Sequence, residues 1–362
     1  MITAEAVIDL AALKHNIKVL SMHQPHSKMI AVVKGNAYGH GGSHVAHALS
    51  SFVDSFAVAR FDEACQLREY GITQPIVLLE GCFDQTETQE AARLGFQPVV
   101  QNDQQIHWLE QLDGQYRINL WLKVDTGMHR LGFHLEQVRS RHQHLCKLPV
   151  MDQYVGFVSH LSCADESGNI QTDRQLQRFN HVTEGLVGPR SLANSAALLT
   201  RPDICFDKAR PGIALYGVTP FAGHCGEENG LKAVMTLRSK LIAIRTHQCG
   251  EPVGYSGLWH ASRETMIGVV AMGYGDGYPR TMPTGTPIQV NGRIVPLVGR
   301  VSMDMLTVDL GPDASDHIGD EVILWGPTNP VEPIAERVGT IGYELLIQLT
   351  NRVKRSYING CS

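Results

Sequence analysis

Between residues 12 and 228 short apolar runs alternate with longer amphipathic stretches, and no other feature of the chain restricts its fold as much. The apolar runs are 30–33, 55–59, 75–79, 97–100, 117–124, 154–160, 190–193 and 208–216. Segments with helical periodicity, among them 42–51, 63–70, 86–94 and 174–186, separate most of them. Eight strands alternating with helices over roughly 200 residues is the arithmetic of a (β/α)₈ TIM barrel. Barrel strands are buried on both faces, so they read as continuous apolar runs. A doubly wound open sheet is the alternative, with the barrel favoured, and the runs are too apolar and too evenly spaced for a small α+β domain.

After residue 228 strand-like alternation continues without long helices, at 234–244, 266–272, 288–290, 294–298, 305–310 and 321–325. Asn291-Gly292 stands between two of these runs and signals a tight hairpin. Residues 334–353 read as helical, interrupted by Gly339 and Gly342. The expected organisation is a barrel over 12–228 followed by a mainly β C-terminal domain over 229–362. The strand-like segment at 6–10 precedes the first helix, so residues 1–11 are expected to join the C-terminal sheet. Two domains also suit a length of 362 residues.

Bulk composition excludes several function classes. A net charge of −5 and a sequence pI near 6.4 argue against a nucleic-acid or membrane partner. The cluster Arg352, Lys354 and Arg355 is too short to change that. None of the eight cysteines forms a C-x-x-C pair, so a metal site or disulfide framework is not expected. Residues 1–20 carry acidic side chains and no apolar core of a secretory signal, and no run approaches membrane-spanning length. The expectation is a soluble, cytoplasmic protein.

Barrel enzymes carry reactive groups at the C-terminal ends of their strands. Lys34 ends the first run and is followed by the glycine-rich 35–42 segment; Lys123 and Asp125 end the fifth. His160 ends the sixth, Asn194-Ser195 the seventh, and Arg210-Pro211-Gly212-Ile213 lies within the eighth. Burying an ammonium is costly, and the burial that lowers its pKa makes a better amine nucleophile toward an aldehyde. The plainer reading is a lysine whose head snorkels to solvent. By themselves Tyr255 reads as a turn aromatic, Arg130 as a surface ion pair and His160 as a bonded core residue. Asn194-Ser195 reads as a helix N-cap, Asp276 and Asp304 as turn residues, and Cys163 and Cys205 as packing.

The segment Ala31-Val32-Val33-Lys34-Gly35-Asn36-Ala37-Tyr38-Gly39-His40-Gly41 resembles the pyridoxal-phosphate attachment site of the alanine racemase family. The likeness extends to Lys123 through Gly132, Ser159-His160, Asn194 through Ala197 and Arg210 through Gly217. Further on it covers Val253-Gly254-Tyr255, Gly273 through Arg280, Gly299 through Asp304 and Ile341 through Glu344, in family order.

The resemblance implies that Lys34 carries pyridoxal 5′-phosphate through an imine and acts as one base, with Tyr255 from a partner subunit as the other. Tyr38, Ser195, Gly212, Ile213 and Tyr343 would hold the phosphate. Arg210 would face the pyridine nitrogen, His160 would stack near the ring, and Asn194 would support that neighbourhood. Arg130 and the main chain of Met303 would grip the substrate carboxylate. Lys123 matches a position carbamylated in many members, where it braces that arginine, and Tyr274 would shape the entry corridor. Ser302 and His129 stand where many members have cysteine and glycine.

These roles suit the chemistry implied. Inverting a stereocentre needs a proton donor on each face of a planar carbanion, and the cofactor supplies the electron sink. A lysine and a tyrosine can serve if their surroundings lower both from ordinary values of about 10. An arginine at the pyridine nitrogen should not donate a full proton to it. The expectation is therefore a homodimer with shared active sites, interconverting L- and D-alanine and supplying D-alanine for peptidoglycan. The rival readings are a broad-specificity racemase, a basic amino-acid decarboxylase of the same fold, and a non-enzymatic pyridoxal-phosphate protein.

Overall fold

A computed structural model describes residues 4–360. The chain forms two compact units, one of Asn16–Ala37 and Gly42–Leu215, the other of Met1–His15, Tyr38–Gly41 and Tyr216–Ser362. It opens with strand β1 (Glu5–Asp9) and the helix Leu10–His23. Eight parallel strands then build the first unit: β2 (Lys28–Val32), β3 (Ser55–Val58), β4 (Ile76–Leu78), β5 (Phe96–Val100), β6 (Ile118–Lys123), β7 (Met151–Val158), β8 (Arg190–Ser191) and β9 (Lys208–Ala209). Each pairs with its successor from β2 to β8, and β9 returns to β2. Between β8 and β9 the ring is bridged by Arg210 N–H to Ala193 O at 2.9 Å and Ser191 Oγ–H to Lys208 O at 2.7 Å. This is the barrel that the eight apolar runs predict.

Burial explains the runs: β3, β4 and β5 are inaccessible at every residue. The one amide among them, Gln97, has its Oε1 satisfied by Trp121 Nε1–H and Tyr154 O–H, each at 3.1 Å. Polar side chains fix the starts of the intervening helices. Asp84 accepts from Glu87 N–H at 2.8 Å, Asn102 from Gln105 N–H at 2.9 Å and Asn169 from Gln171 N–H at 2.9 Å.

The eighth run departs from expectation. Only its first two residues are extended, and Ile213–Tyr216 is a 3₁₀ turn. Pro211 has no N–H to offer a ladder, and the N–H groups of Gly212 and Ala214 turn instead to Ser195 Oγ, at 2.9 and 3.3 Å.

The second unit is built on a long strand, β10 (Met235–His247), with a small hairpin of β11 (Pro252–Val253) and β12 (Trp259–His260) after it. There follow β13 (Thr265–Val270), β14 (Pro287–Val290), β15 (Arg293–Val298), β16 (Leu306–Gly311), β17 (Glu321–Trp325) and β18 (Lys354–Ile358). Because β13 pairs with both β16 and β10, six of these strands close on themselves. The N-terminal strand joins this sheet: β1 lies antiparallel to β10 and parallel to β18. Asn291 (φ 47°) and Gly292 (φ 82°) make the turn of the β14–β15 hairpin. The helical expectation for 334–353 is corrected to two short helices, Val331–Val338 and Gly342–Ile347, parted where Gly339 adopts φ 77°. Strand β18 was not foreseen, because its alternation is masked by Lys354 and Arg355. No helix among the described residues is long and apolar enough to cross a membrane.

Candidate active site

Lys34 stands two residues past the end of β2 and enters a turn of unusual hand. Gly35, Asn36, Ala37 and Tyr38 all have positive φ, between 51° and 61°. Each residue with a Cβ pays about 1–2 kcal/mol for this conformation, so the turn must be held from outside. Ala37 N–H donates to Val33 O at 2.8 Å, Gly42 N–H to Asn36 Oδ1 at 2.7 Å and Gly35 N–H to Glu63 Oε1 at 2.6 Å. The Lys34 amine is pushed below its ordinary value, chiefly by burial and then by Arg130; Glu80 and Glu63 oppose this. Lowering the proton affinity of the amine enlarges the share of its neutral, nucleophilic form.

The other strand ends of this unit supply a cluster of cations. Burial and the neighbouring guanidiniums of Arg210 and Arg130 lower Lys123 to about 7. Arg210, 6% exposed, donates from Nη1 to Ser191 Oγ at 2.6 Å and from Nη2 to Ser159 O at 2.5 Å and Leu192 O at 3.4 Å. Burial brings it down to about 10. His160 is held well below its ordinary range by burial, then by Lys123, Arg210, Arg130 and Lys34, so it is a neutral imidazole. Asp125 turns the chain toward Arg130: its carboxylate accepts from the N–H groups of Gly127 and His129, both at 3.0 Å, and meets His129 Nδ1 at 3.0 Å. Lys34, Lys123, Arg130 and Arg210 thus share one electropositive neighbourhood, suited to anionic groups.

Asn194 and Ser195 belong to the same unit. Asn194 caps the helix Ser195–Thr200 by accepting Ala197 N–H at 3.1 Å, as its residue type suggests. Ser195 Oγ gathers the Gly212 and Ala214 N–H groups beside buried Ile213.

In the second unit, the buried Tyr38 ring lies 5.0 Å from that of Tyr216 and 5.9 Å from that of Tyr343. Burial raises the Tyr38 phenol, so it remains a proton-bearing donor. Gly39 follows at φ 81°, and a Cβ there would stand 2.1 Å from Leu346 O. Tyr255 is at the tip of the β11–β12 hairpin, flanked by Gly254 (φ 73°) and Ser256 (φ 64°), and is 64% exposed. The hairpin is seated by Val253 and Trp259 against Ile267 and Val298. Met303 occupies a loop gripped by the 274–275 turn: Gly275 N–H donates to Met303 O at 2.8 Å and Tyr274 N–H to Ser302 O at 3.0 Å. Arg352, set aside in the sequence as part of a short basic cluster, joins buried Asp276 (3.1 Å) to Asp304 (2.8 Å) on either side of that loop. Asp276 and Asp304 are therefore ion-pair partners as well as turn residues.

Profiles described as the alanine racemase N-terminal domain and the alanine racemase C-terminal domain match residues 8–220 and 234–357. The chain belongs to the alanine racemase family. It is similar to alanine racemases of Vibrio vulnificus strain CMCP6, 49% identical over 99% of both chains, and Haemophilus influenzae, 50% identical over 98% of this chain and 99% of that one. Among solved structures it resembles the biosynthetic alanine racemase of Pseudomonas aeruginosa, with a TM-score of 0.94, 44% identity and 99% of each chain covered. The alanine racemase of Acinetobacter baumannii aligns with a TM-score of 0.92 at 36% identity, covering 99% of this chain and 100% of that one. Within this alanine racemase family fold, sequence reasoning passed over Glu63 and Arg352. For Glu63 a signal existed: a carboxylate three residues past Arg60, at the spacing that caps a helix start.

Proposed function

We propose that the chain interconverts L- and D-alanine using pyridoxal 5′-phosphate carried on Lys34. The observation that carries this reading is the depressed Lys34 amine among Lys123, Arg130 and Arg210, beside a neutral His160. The cofactor, when bound, withdraws electrons from the substrate Cα so that its proton can leave. The residues present fit such a group. Arg210 anchors Nη1 and Nη2 on the protein, and its Nε–H, for which no partner is seen among the described residues, is a donor that can face a pyridine nitrogen without surrendering its proton. Ser195, Gly212, Ile213, Tyr38 and Tyr343 would hold the phosphate, with Asn194 keeping Ser195 in place and His160 against the ring.

Lys34 Nζ and Tyr255 Oη would each remove or return a proton at Cα, one on either face. Arg130, braced by a carbamylated Lys123, and the Met303 main chain would bind the substrate carboxylate. Tyr255 and Met303 are 64% and 53% exposed, and this supports their contribution to the site of a second copy in a homodimer. In this reading residues 12–228 are the cofactor domain and 229–362, with residues 1–11, the β-rich domain. The setting would be the cytoplasm, with D-alanine destined for peptidoglycan. Borohydride reduction of the holoenzyme followed by peptide mapping tests the proposal. The expected product is a single pyridoxyl adduct on Lys34; a protein without a yellow chromophore, or an adduct elsewhere, overturns it.

A further inference from the structure

The left-handed turn after Lys34 has a tether that reaches well outside its own segment, to Glu63. Glu63 lies in the first turn of the helix Phe61–Glu69, and its carboxylate serves two ends at once. Oε2 accepts the N–H groups of Ala59 and Arg60, at 2.9 and 3.1 Å, at the junction of β3 and that helix. Oε1 accepts Gly35 N–H at 2.6 Å, the peptide immediately following Lys34. One carboxylate therefore splices the end of β2 to the end of β3, using three main-chain donors. Four successive positive φ values are improbable unless the surroundings over-determine them, and Gly35 is the first of the four.

We propose that Glu63 is a positioning residue for Lys34: its carboxylate sets the path of the turn that aims the lysine and keeps a fixed negative charge beside it. The inference rests on Lys34 bearing the cofactor. The charges that bear on the Lys34 amine are Arg130 from the β6 loop, Glu80 from the end of β4 and Glu63 itself. Lys123 and His160 are coupled to it in turn, and Glu80 is tied to Arg60 at 2.8 Å. Glu63 alone of these groups also bonds to the lysine's own turn.

Two variants separate reach from charge. Glu63→Asp keeps an acidic residue in the first helical turn but is one methylene too short to serve both ends. Its kcat should fall about tenfold, the order expected when a hydrogen bond to a charged group is lost, while KM for alanine stays within about threefold. Glu63→Gln keeps the length and removes the charge. The pH midpoint of the holoenzyme's visible absorbance should then move downward, because a neighbouring anion favours the protonated nitrogen. A residue that merely stabilised the helix would lower the melting temperature and leave kcat and this midpoint where they are. Wild-type kcat within twofold in both variants, with an unmoved midpoint in Glu63→Gln, overturns the inference. Borohydride trapping on Lys34 of the wild type, run alongside, distinguishes that result from failure of the cofactor assignment.

Discussion

Arg210 Nη2 lies 2.5 Å from the main-chain oxygen of Ser159, and no carboxylate pairs with this buried guanidinium among the described residues. Neutral oxygens from Ser159, Ser191 and Leu192 hold it, so the geometry is rigid and the charge uncompensated. Such a group can hydrogen-bond a ring nitrogen without protonating it. Arg210→Glu reverses that relationship. Racemisation should fall about a hundredfold, the scale for losing a preorganised charge-stabilising donor, while transamination to pyruvate gains relative to it. Unchanged rates of both reactions would remove Arg210 from the cofactor site.

Tyr255 stands on a hairpin whose tip needs Gly254 and Ser256 at positive φ, a conformation that fixes its direction. In Tyr255→Phe we expect cofactor absorbance to persist and solvent-deuterium incorporation from L-alanine to be lost, with exchange from D-alanine retained. Mixing this variant with an inactive Lys34→Ala chain should restore about a quarter of wild-type activity if the two residues act across a dimer, since random pairing leaves half of the dimers with one intact site.

Lys123 should titrate near neutrality. Its folded value of about 7 lies below the ordinary 10.5, so between these limits the native state binds fewer protons than the unfolded chain. Stability then rises with pH across that window, and the cost of burying the charge is complete below 7. Lys123→Met should flatten this slope in cofactor-free protein kept free of carbon dioxide. Above pH 7 the neutral amine can add carbon dioxide with release of one proton. A carbamate carbon signal with ¹³C-bicarbonate, absent in Lys123→Met, is the expected result; its absence from wild type would leave Arg130 without that brace.

Two glycines test how much backbone hand costs here. Gly292 has φ 82° and nothing within 4 Å of the place a Cβ would take. Gly292→Ala should cost about 1–2 kcal/mol, a melting shift of a few degrees. Gly39→Ala meets Leu346 O at 2.1 Å as well as φ 81°, so it should cost more and should also weaken cofactor retention.

Much of this was readable before folding. Runs such as 75–79 and 97–100 announce barrel strands because burial on both faces leaves no polar alternation to hide them. The Asn291-Gly292 turn and the Asn194 cap follow from local backbone chemistry. The last barrel strand misled, since the apolar content of 208–216 reflects burial, and burial is shared by strands and 3₁₀ turns alike. Lys34, Lys123, His160 and Arg210 could be picked out as strand-end residues, although the lowering of Lys123 and His160 by burial and the surrounding cations could not.

What the sequence by itself determined was the kind and order of most elements and the family to which the motifs belong, because periodicity, capping and turn formation act over a few neighbouring residues. Only the tertiary structure decided that Glu63 reaches Gly35 across 28 positions and that Arg352 spans Asp276 and Asp304. A carboxylate or guanidinium finds its partner through space, and the distance along the chain carries no record of it.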